Sequence, residues 1–208
     1  MRSLLIIIAL CYSTLLFTQN IKVKKEFYAK KMLKSELLYQ KGNEKSYLKN
    51  YYQNGKIKNE GWLLNNEKNE YWTFYFESGL KKSEGIYQLG LKQGYWSSYS
   101  KKGKRKKEGN YIKGKKDGYW KFYYTNGQLK SEGNYATDSK IEWWIMYADN
   151  GQKTQEGHYV GEIKNGFHHI YENGKPKYVG NFKNNIKVGT WVTLNQNGDY
   201  IEIKEYGE

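Results

Sequence analysis

Tyr51, Tyr75, Tyr99, Tyr123, Tyr147 and Tyr171 recur at one even interval, and the same interval orders nearly everything around them. Gly55, Gly79, Gly103, Gly127, Gly151 and Gly174 form one recurring set. Gly61, Gly85, Gly109, Gly133, Gly157 and Gly180 form a second, with Glu60, Glu84, Glu108, Glu132 and Glu156 one position ahead of its first five members. Trp72, Trp96, Trp120, Trp144 and Trp191 complete the unit, and His168 stands where the fifth tryptophan is due. The register slips by a single position, between Gly151 and Gly174. A repeat with a period of about 24 residues specifies an array of one supersecondary unit, each stabilised by its neighbours, and not a globular catalytic domain.

Within the unit, an aromatic run such as Tyr119 to Tyr124 meets Asn126-Gly127, and the chain returns through Leu129 to Tyr135. Asn-Gly recurs at Asn54, Asn126, Asn150, Asn173 and Asn197, while Ser78-Gly79 and Lys102-Gly103 fill the other two positions. Asn-Gly is the strongest short signal for a two-residue hairpin turn, in which both central residues need positive φ. That turn pairs Tyr124 with Leu129, Lys121 with Glu132, and Trp120 with Gly133. The indole then has room to lie on the glycine backbone opposite it, and Lys121 can pair with Glu132. A second, looser turn is expected over residues 113–118. The predicted fold is all β: an elongated antiparallel β-hairpin array, a single-layer meander of about six to seven units. Trp120 and Tyr123 are three apart, so a regular strand sends them to opposite faces. Aromatic ladders on both faces are the expectation, with a bulge as the alternative.

The expected organisation is a signal peptide over 1–19, a degenerate capping repeat over 20–50, and six repeats over 51–194 (51–74, 75–98, 99–122, 123–146, 147–170 and 171–194). An acidic cap over 195–208 closes the chain, with Asp199, Glu202, Glu205 and Glu208 guarding an exposed edge. The leader reading rests on Met1-Arg2 followed by an uncharged, apolar run from Leu4 to Phe17, short for a membrane span. A retained anchor is the alternative. Cys11, the only cysteine, lies in this run behind Leu10, where a lipoprotein signal wants a small residue. The chain beyond the leader has no thiol for catalysis or for a disulfide.

Aromatic residues make up 17% of the chain although its mean hydropathy is −0.96. Tyrosine and tryptophan reconcile the two, since each buries a large ring and keeps a polar group for water. The net charge is +14, and Arg2 and Arg105 are the only arginines. Lysine is a hydrated point charge without the planar fork that reads phosphate or guanine, so this surface favours solubility and loose attraction to polyanions over nucleic-acid readout.

Glu108-Gly109-Asn110-Tyr111, followed by Gly114, Gly118 and Trp120, resembles the MORN repeat (membrane occupation and recognition nexus). The closer likeness is to its bacterial variant, in which Tyr-x-Asn-Gly precedes Glu-Gly-x-Tyr and Gly-x-Trp. The resemblance covers residues 51–194 well and the flanks faintly. Glu70 and Glu142 depart from it in replacing glycine, His168 in replacing tryptophan, and Val179 in replacing glutamate. It implies hairpin sheets that act as interaction or scaffolding modules, with lipid binding in some. Many bacterial relatives are described as YwqK-like antitoxins, which an exported chain fits poorly.

No constellation in the chain reads as an enzyme. The aligned glutamates share one environment and cannot divide acid and base roles as a glycosidase pair must. Histidines 158, 168 and 169 are the only three, and the adjacent pair points to opposite faces, so no metal site or cofactor is expected. The densest charge is Lys101, Lys102, Lys104, Arg105, Lys106 and Lys107, followed by Lys113, Lys115 and Lys116, expected to crowd one edge of the array. It reads as a solubilising edge or as a docking site for an anionic surface. The function expected is a non-catalytic, exported interaction or scaffolding module with a protein partner. The alternatives are a cell-surface carbohydrate or anionic-lipid binder, and an antitoxin-like protein. Export argues against nucleic acid, and no small-molecule substrate is implied. In its native host the protein is expected outside the cytoplasm without its first 18 to 20 residues, cleavage falling near Thr18 or Gln19. Intact mass of cell fractions checks this, and a full-length cytoplasmic chain would contradict it.

Overall fold

The computed structural model describes residues 21–207, so the leader and Cys11 lie outside the described residues. Among those residues the chain is all β, apart from one turn of 3-10 helix at Ala29–Lys31. They fall into two compact units, 21–91 and 92–207. The first holds β1 (Ile21–Phe27), β2 (Leu33–Gln40), β3 (Lys45–Tyr51), β4 (Ile57–Leu64), β5 (Glu67–Tyr75) and β6 (Lys81–Gln88), each paired antiparallel with the next. The second begins with β7 (Leu91–Tyr99), β8 (Arg105–Ile112), β9 (Lys115–Tyr123), β10 (Leu129–Ala136) and β11 (Ser139–Tyr147). It continues through β12 (Lys153–Val160), β13 (Ile163–Glu172), β14 (Lys175–Lys183), β15 (Ile186–Leu194) and β16 (Tyr200–Tyr206), again as an antiparallel meander.

The turns correct the expected loop lengths. At Asn126-Gly127, the Gly127 N–H donates to the Tyr124 carbonyl (3.0 Å) and the Tyr124 N–H to the Gln128 carbonyl (2.8 Å). Only Gly127 has positive φ, at 95°, so the loop is a type I turn over Thr125-Asn126 closed by a left-handed glycine. Leu129 therefore pairs with Tyr123 and not with Tyr124, while Lys121 meets Glu132 and Trp120 meets Gly133 as expected. The asparagine is engaged otherwise than the sequence suggests. Its Oδ1 accepts from the Gln128 N–H (2.9 Å), and its Nδ2 donates to the Asp149 carbonyl of the next turn (2.7 Å). A two-residue Asn-Gly turn does form at Asn173 (φ 53°) and Gly174 (φ 76°), between paired Glu172 and Lys175. This is the loop from which the one residue is missing.

The turn expected to be loose is in fact tight. Ile112 pairs with Lys115, so Lys113 (φ 49°) and Gly114 (φ 82°) alone form a two-residue loop. What lengthens the segment is a bulge: Asn110 pairs with Asp117 and Gly109 with Trp120, leaving residues 118 and 119 extra on β9. Gly118 is left-handed there, at φ 71°. Glu70 (φ 58°) and Glu142 (φ 59°) adopt the same conformation without being glycine, at about 1–2 kcal/mol each. Both side chains are tethered, Glu70 to the Lys45 ammonium (2.6 Å) and Glu142 to the Asn134 amide (3.0 Å). The bulge does not bring Trp120 and Tyr123 together; rings line both faces.

One face is built on tryptophan. Trp72, Trp120 and Trp144 are almost completely buried although no second layer among the described residues covers them. Each indole lies flat over a glycine of the preceding strand: Trp72 over Gly61, Trp120 over Gly109 and Trp144 over Gly133. A Cβ on Gly109 would stand 2.4 Å from the Trp120 ring, and one on Gly133 would stand 2.5 Å from Trp144. The glycine under Trp120 is thus Gly109, and Gly133, although paired with Trp120, lies under the next tryptophan, a correction to where the indole was expected to rest. The Trp120 Nε1–H donates to the Asn110 carbonyl (2.9 Å), which satisfies its one polar group. Tyr111 meets the indole edge-on at 5.0 Å and Phe122 stacks on it at 5.9 Å. Burial of an indole stabilises by roughly 4–6 kcal/mol before ordering costs.

Replacing Gly133 by Ala is expected to lower stability by about 1–3 kcal/mol, because the new methyl overlaps the Trp144 ring. Gly127→Val is expected to destabilise as well, since a β-branched residue does not take φ 95° cheaply. Lys130→Ala, at an exposed strand position, should stay within about 0.5 kcal/mol. Denaturant midpoints of the three variants check the order, and equal midpoints would contradict the packing described.

Candidate interaction surface

The opposite face is organised by the recurring glutamates, and their partners are tyrosines at the end of the following repeat's aromatic strand. In the second unit, Glu108 accepts from the Tyr123 hydroxyl, Glu132 from Tyr147 (2.7 Å), and Glu156 from Tyr171. In the first unit, Glu36 accepts from Tyr51 (2.6 Å) and Glu60 from Tyr75 (2.9 Å). A second phenol joins most of these sites: Tyr47 at Glu60 (3.2 Å), Tyr95 at Glu108, and Tyr119 at Glu132. Cations add to the set, with Arg105 on Glu108 and Lys153 on Glu156 (2.9 Å). The lysine pairing expected from sequence is present at Lys121–Glu132, but at 3.8 Å it is the longer contact.

The electrostatics follow from this geometry. Burial alone would raise the Glu108 carboxyl, but hydrogen bonds from Tyr123 and Tyr95 and the Arg105 guanidinium outweigh it and hold the group below its usual range. Burial, and then hydrogen bonding to Glu108, push the Tyr123 phenol up to about 12. Tyr147 and Tyr171 are raised too, by burial first and their glutamates second. Glu108 and Glu156, both held below their usual range, are ionised, capped acceptors with no proton to give, which is the wrong state for a general acid.

Just beside the glutamates runs a row of rings, three of them exposed and the fourth, Trp143, half-buried against His158 and His169. Tyr95 on β7, Tyr119 on β9, Trp143 on β11 and Phe167 on β13 occupy equivalent positions on alternate strands. Tyr95 is 53% exposed, Tyr119 47% and Phe167 40%. Their cross-strand partners are Asn110, Asn134, His158 and Asn181. The hydroxyls of Tyr95 and Tyr119 are anchored on glutamate, which fixes each ring while leaving about half of it in water. The row follows the same spacing as the tryptophans, so the period could have found it in the sequence. Its identity shifts from Tyr to Trp to Phe, and that hid it.

The nine basic residues expected along one edge are distributed over two edges and both faces. Lys101, Lys102 and Lys104 surround the Gly103 turn, and the Lys104 ammonium donates to the Asn126 carbonyl of the neighbouring turn (2.6 Å). Lys113, Lys115 and Lys116 lie at the far end of β8, about 25 Å away along the strand. Lys106 and Lys115 are exposed, Arg105 is committed to Glu108, and Lys107 approaches the Trp120 ring at 6.0 Å on the tryptophan face. Alternation along a strand divides a run that looks continuous in sequence. Lys116 belongs to a recurring device that sequence reasoning missed. In the second unit Lys92, Lys116, Lys140, Lys164 and Lys187 each hold an ammonium over rings of the tryptophan face, Lys116 at 3.7 Å from Tyr135. Lys68 does the same in the first unit, over Trp72 at 5.1 Å. Burial lowers the Lys68, Lys116 and Lys164 ammonium groups.

His168 takes the place of an indole in its contacts as well as in position. It is fully buried, its Nε2 lies 2.8 Å from the His158 carbonyl, and Nδ1 lies 3.1 Å from the Gln155 amide nitrogen. Nε2 carries the proton and donates, as Trp120 Nε1 does, while Nδ1 accepts from Gln155. Burial pushes the ring down to about 4, so it is neutral around pH 7. His169 faces the other way, with Nδ1 3.6 Å from Glu156. Among the described residues no group of three or more His, Cys, Asp or Glu side chains could hold a metal ion.

The Tyr123–Glu108 bond sets a pH window. The folded state depresses Glu108 below its ordinary value of 4.5, so this stabilisation is present above that pH and lost as pH falls below it. Tyr123 is raised from 10.0 to about 12, so its contribution is present below pH 10 and lost as pH rises through about 12. Tyr123→Phe is expected to cost about 1–2 kcal/mol at neutral pH and to weaken both pH dependences. Denaturant melts across pH, with phenolate absorbance as the second readout, check this.

Residues 116–136 and 169–184 match the family model described as MORN repeat variant. No curated protein matches the chain. The first segment spans β9 and β10 with the Asn-Gly loop between them, and the second runs from His169 through the two-residue turn into β14. These two segments are thus similar to the MORN repeat variant, a non-enzymatic repeat family of protein- and membrane-interaction modules.

Proposed function

We propose that this chain is a non-catalytic interaction module that works after export and docks an extended macromolecule along the ring row of its second unit. The observation that carries the reading is the row itself: Tyr95, Tyr119 and Phe167 are 40–53% exposed, whereas Trp120 and Trp144 on the other face are buried. Large rings held half in water, with hydroxyls already anchored, present preorganised apolar area at little ordering cost. Glu108 and Glu156 are buried and capped by phenols and cations, which supports a binding role for the rings beside them. The leader read from Met1 to Gln19 supports action outside the cytoplasm. The basic turn around Lys101, Lys102 and Lys104 adds long-range attraction for an anionic partner, screened over about 8 Å at physiological salt.

The test is capture of partners from the native extracellular and surface fractions by the leaderless chain and by a Tyr119→Ala, Trp143→Ala double variant. Capture is expected with the former and expected to be lost with the latter, at unchanged circular dichroism. Equal capture by both would remove the row from the docking surface.

A further inference from the structure

The geometry points to one ligand class for this row: a linear, anionic, β-1,4-linked polysaccharide. The inference rests on the reading above that the row is the docking surface. It is carried by the spacing. The rings occupy alternate strands, and two strand separations amount to about 10 Å. In a β-1,4-linked pyranose chain each sugar is turned over relative to the one before. The same ring face therefore recurs at every second sugar, at a closely similar distance. Each recurring face is a patch of axial C–H bonds that stacks on an aromatic ring. A chain laid across the strands would place alternate sugars on Tyr95, Tyr119, Trp143 and Phe167. The sugars between them would lie over Asn110 and Asn134, whose positions pair with Tyr95 and Tyr119; the exposed Asn110 supplies an amide for hydroxyl groups, while the Asn134 amide also holds Glu142. Rotation about the glycosidic bonds lets the chain follow the strand-to-strand twist.

The competing partners lack this match. An extended peptide repeats its side chains on one face at about 7 Å, which does not match a ring spacing of about 10 Å from one ring to the next. A lipid surface has no fixed period at all. The anionic character follows from charge. The chain carries +14, and the glutamates beside the row are withdrawn from the ligand: Glu108 is 5% and Glu156 9% exposed, each capped by a phenol and a cation. Lys121 shares a strand face with Tyr119, and Arg105 and Lys153 stand at Glu108 and Glu156 on the same face, so carboxylates on the sugars meet cations and not free carboxylates beside the row.

The experiment is affinity electrophoresis of the leaderless chain in gels containing carboxymethyl cellulose, an anionic β-1,4-glucan, with hydroxyethyl cellulose as the neutral counterpart. Retardation by carboxymethyl cellulose is expected, weaker in hydroxyethyl cellulose and decreasing with salt. Tyr119→Ala with Trp143→Ala should weaken it at least about tenfold, the equivalent of a single modest contact free energy. Tyr119→Phe, which keeps the ring, should stay close to wild type, and circular dichroism establishes that each variant is folded. A folded wild-type chain that is not retarded overturns the proposal. So does equal retardation of the double variant, or equal binding of the neutral polymer. If acidic phosphatidylserine vesicles or a captured protein, and not the glucan, are lost by the row variants, the ligand class is wrong while the row remains a docking surface. If nothing depends on the row, both readings fall.

Discussion

The contact on which this fold depends is an indole lying flat on a glycine of the neighbouring strand, with its N–H donated to the next backbone carbonyl. A single-layer sheet has no second layer to bury its side chains, so burial has to be found within the face itself. Trp120 achieves it by covering Gly109, closing the distance that any Cβ would keep open, and by receiving Tyr111 at its edge and Phe122 on its plane. The polar atom is satisfied by the Asn110 carbonyl, so the indole is buried at no cost in unpaired groups. His168 is the informative exception. A smaller ring performs the same two tasks, with Nε2–H in place of the indole N–H, and burial keeps it neutral so that it can do so.

The two faces then take different roles for a physical reason. The tryptophan face is sealed by hydrocarbon and by lysine stems whose ammonium groups end over the rings, which accounts for one recurring lysine position of the repeat. The glutamate face is sealed by hydrogen bonds. A carboxylate that accepts from two phenols is expensive to leave unmet and specific once met, so it fixes each tyrosine ring in place. Rings anchored in this way but still half exposed are a byproduct of that anchoring, and they are the part of the molecule available to a ligand.

Much of this was legible in the sequence. The period alone gives an all-β hairpin array, the pairing of Lys121 with Glu132 and Trp120 with Gly133, and rings on both faces. It also gives His168 as a stand-in for tryptophan. The turn types were not legible, because Asn-Gly serves equally a two-residue turn and the end of a three-residue one. The three-residue form recurs at Gly79, Gly103, Gly127 and Gly151 whatever residue precedes the glycine, and the two-residue form appears at Gly174, where the loop is one residue shorter. Glu70 and Glu142 show the same limit. Their identities argue against a left-handed conformation, and the bulge imposes it regardless.

What the sequence determined by itself is therefore the unit, its repetition and its chemistry, since these depend on local periodicity and on residue types that recur in every copy. What only the tertiary structure decided is which members of that repeat meet. It put Trp120 on Gly109 and not on Gly133, and gave Glu108 to the Tyr123 of the next strand. It separated Lys101 from Lys113 onto different edges, and aligned Tyr95, Tyr119, Trp143 and Phe167 into one row at the surface. Each of these is set by register and by the bulge at Gly118. A shift of one position in pairing moves every side chain to the other face, and no single segment of sequence contains that information.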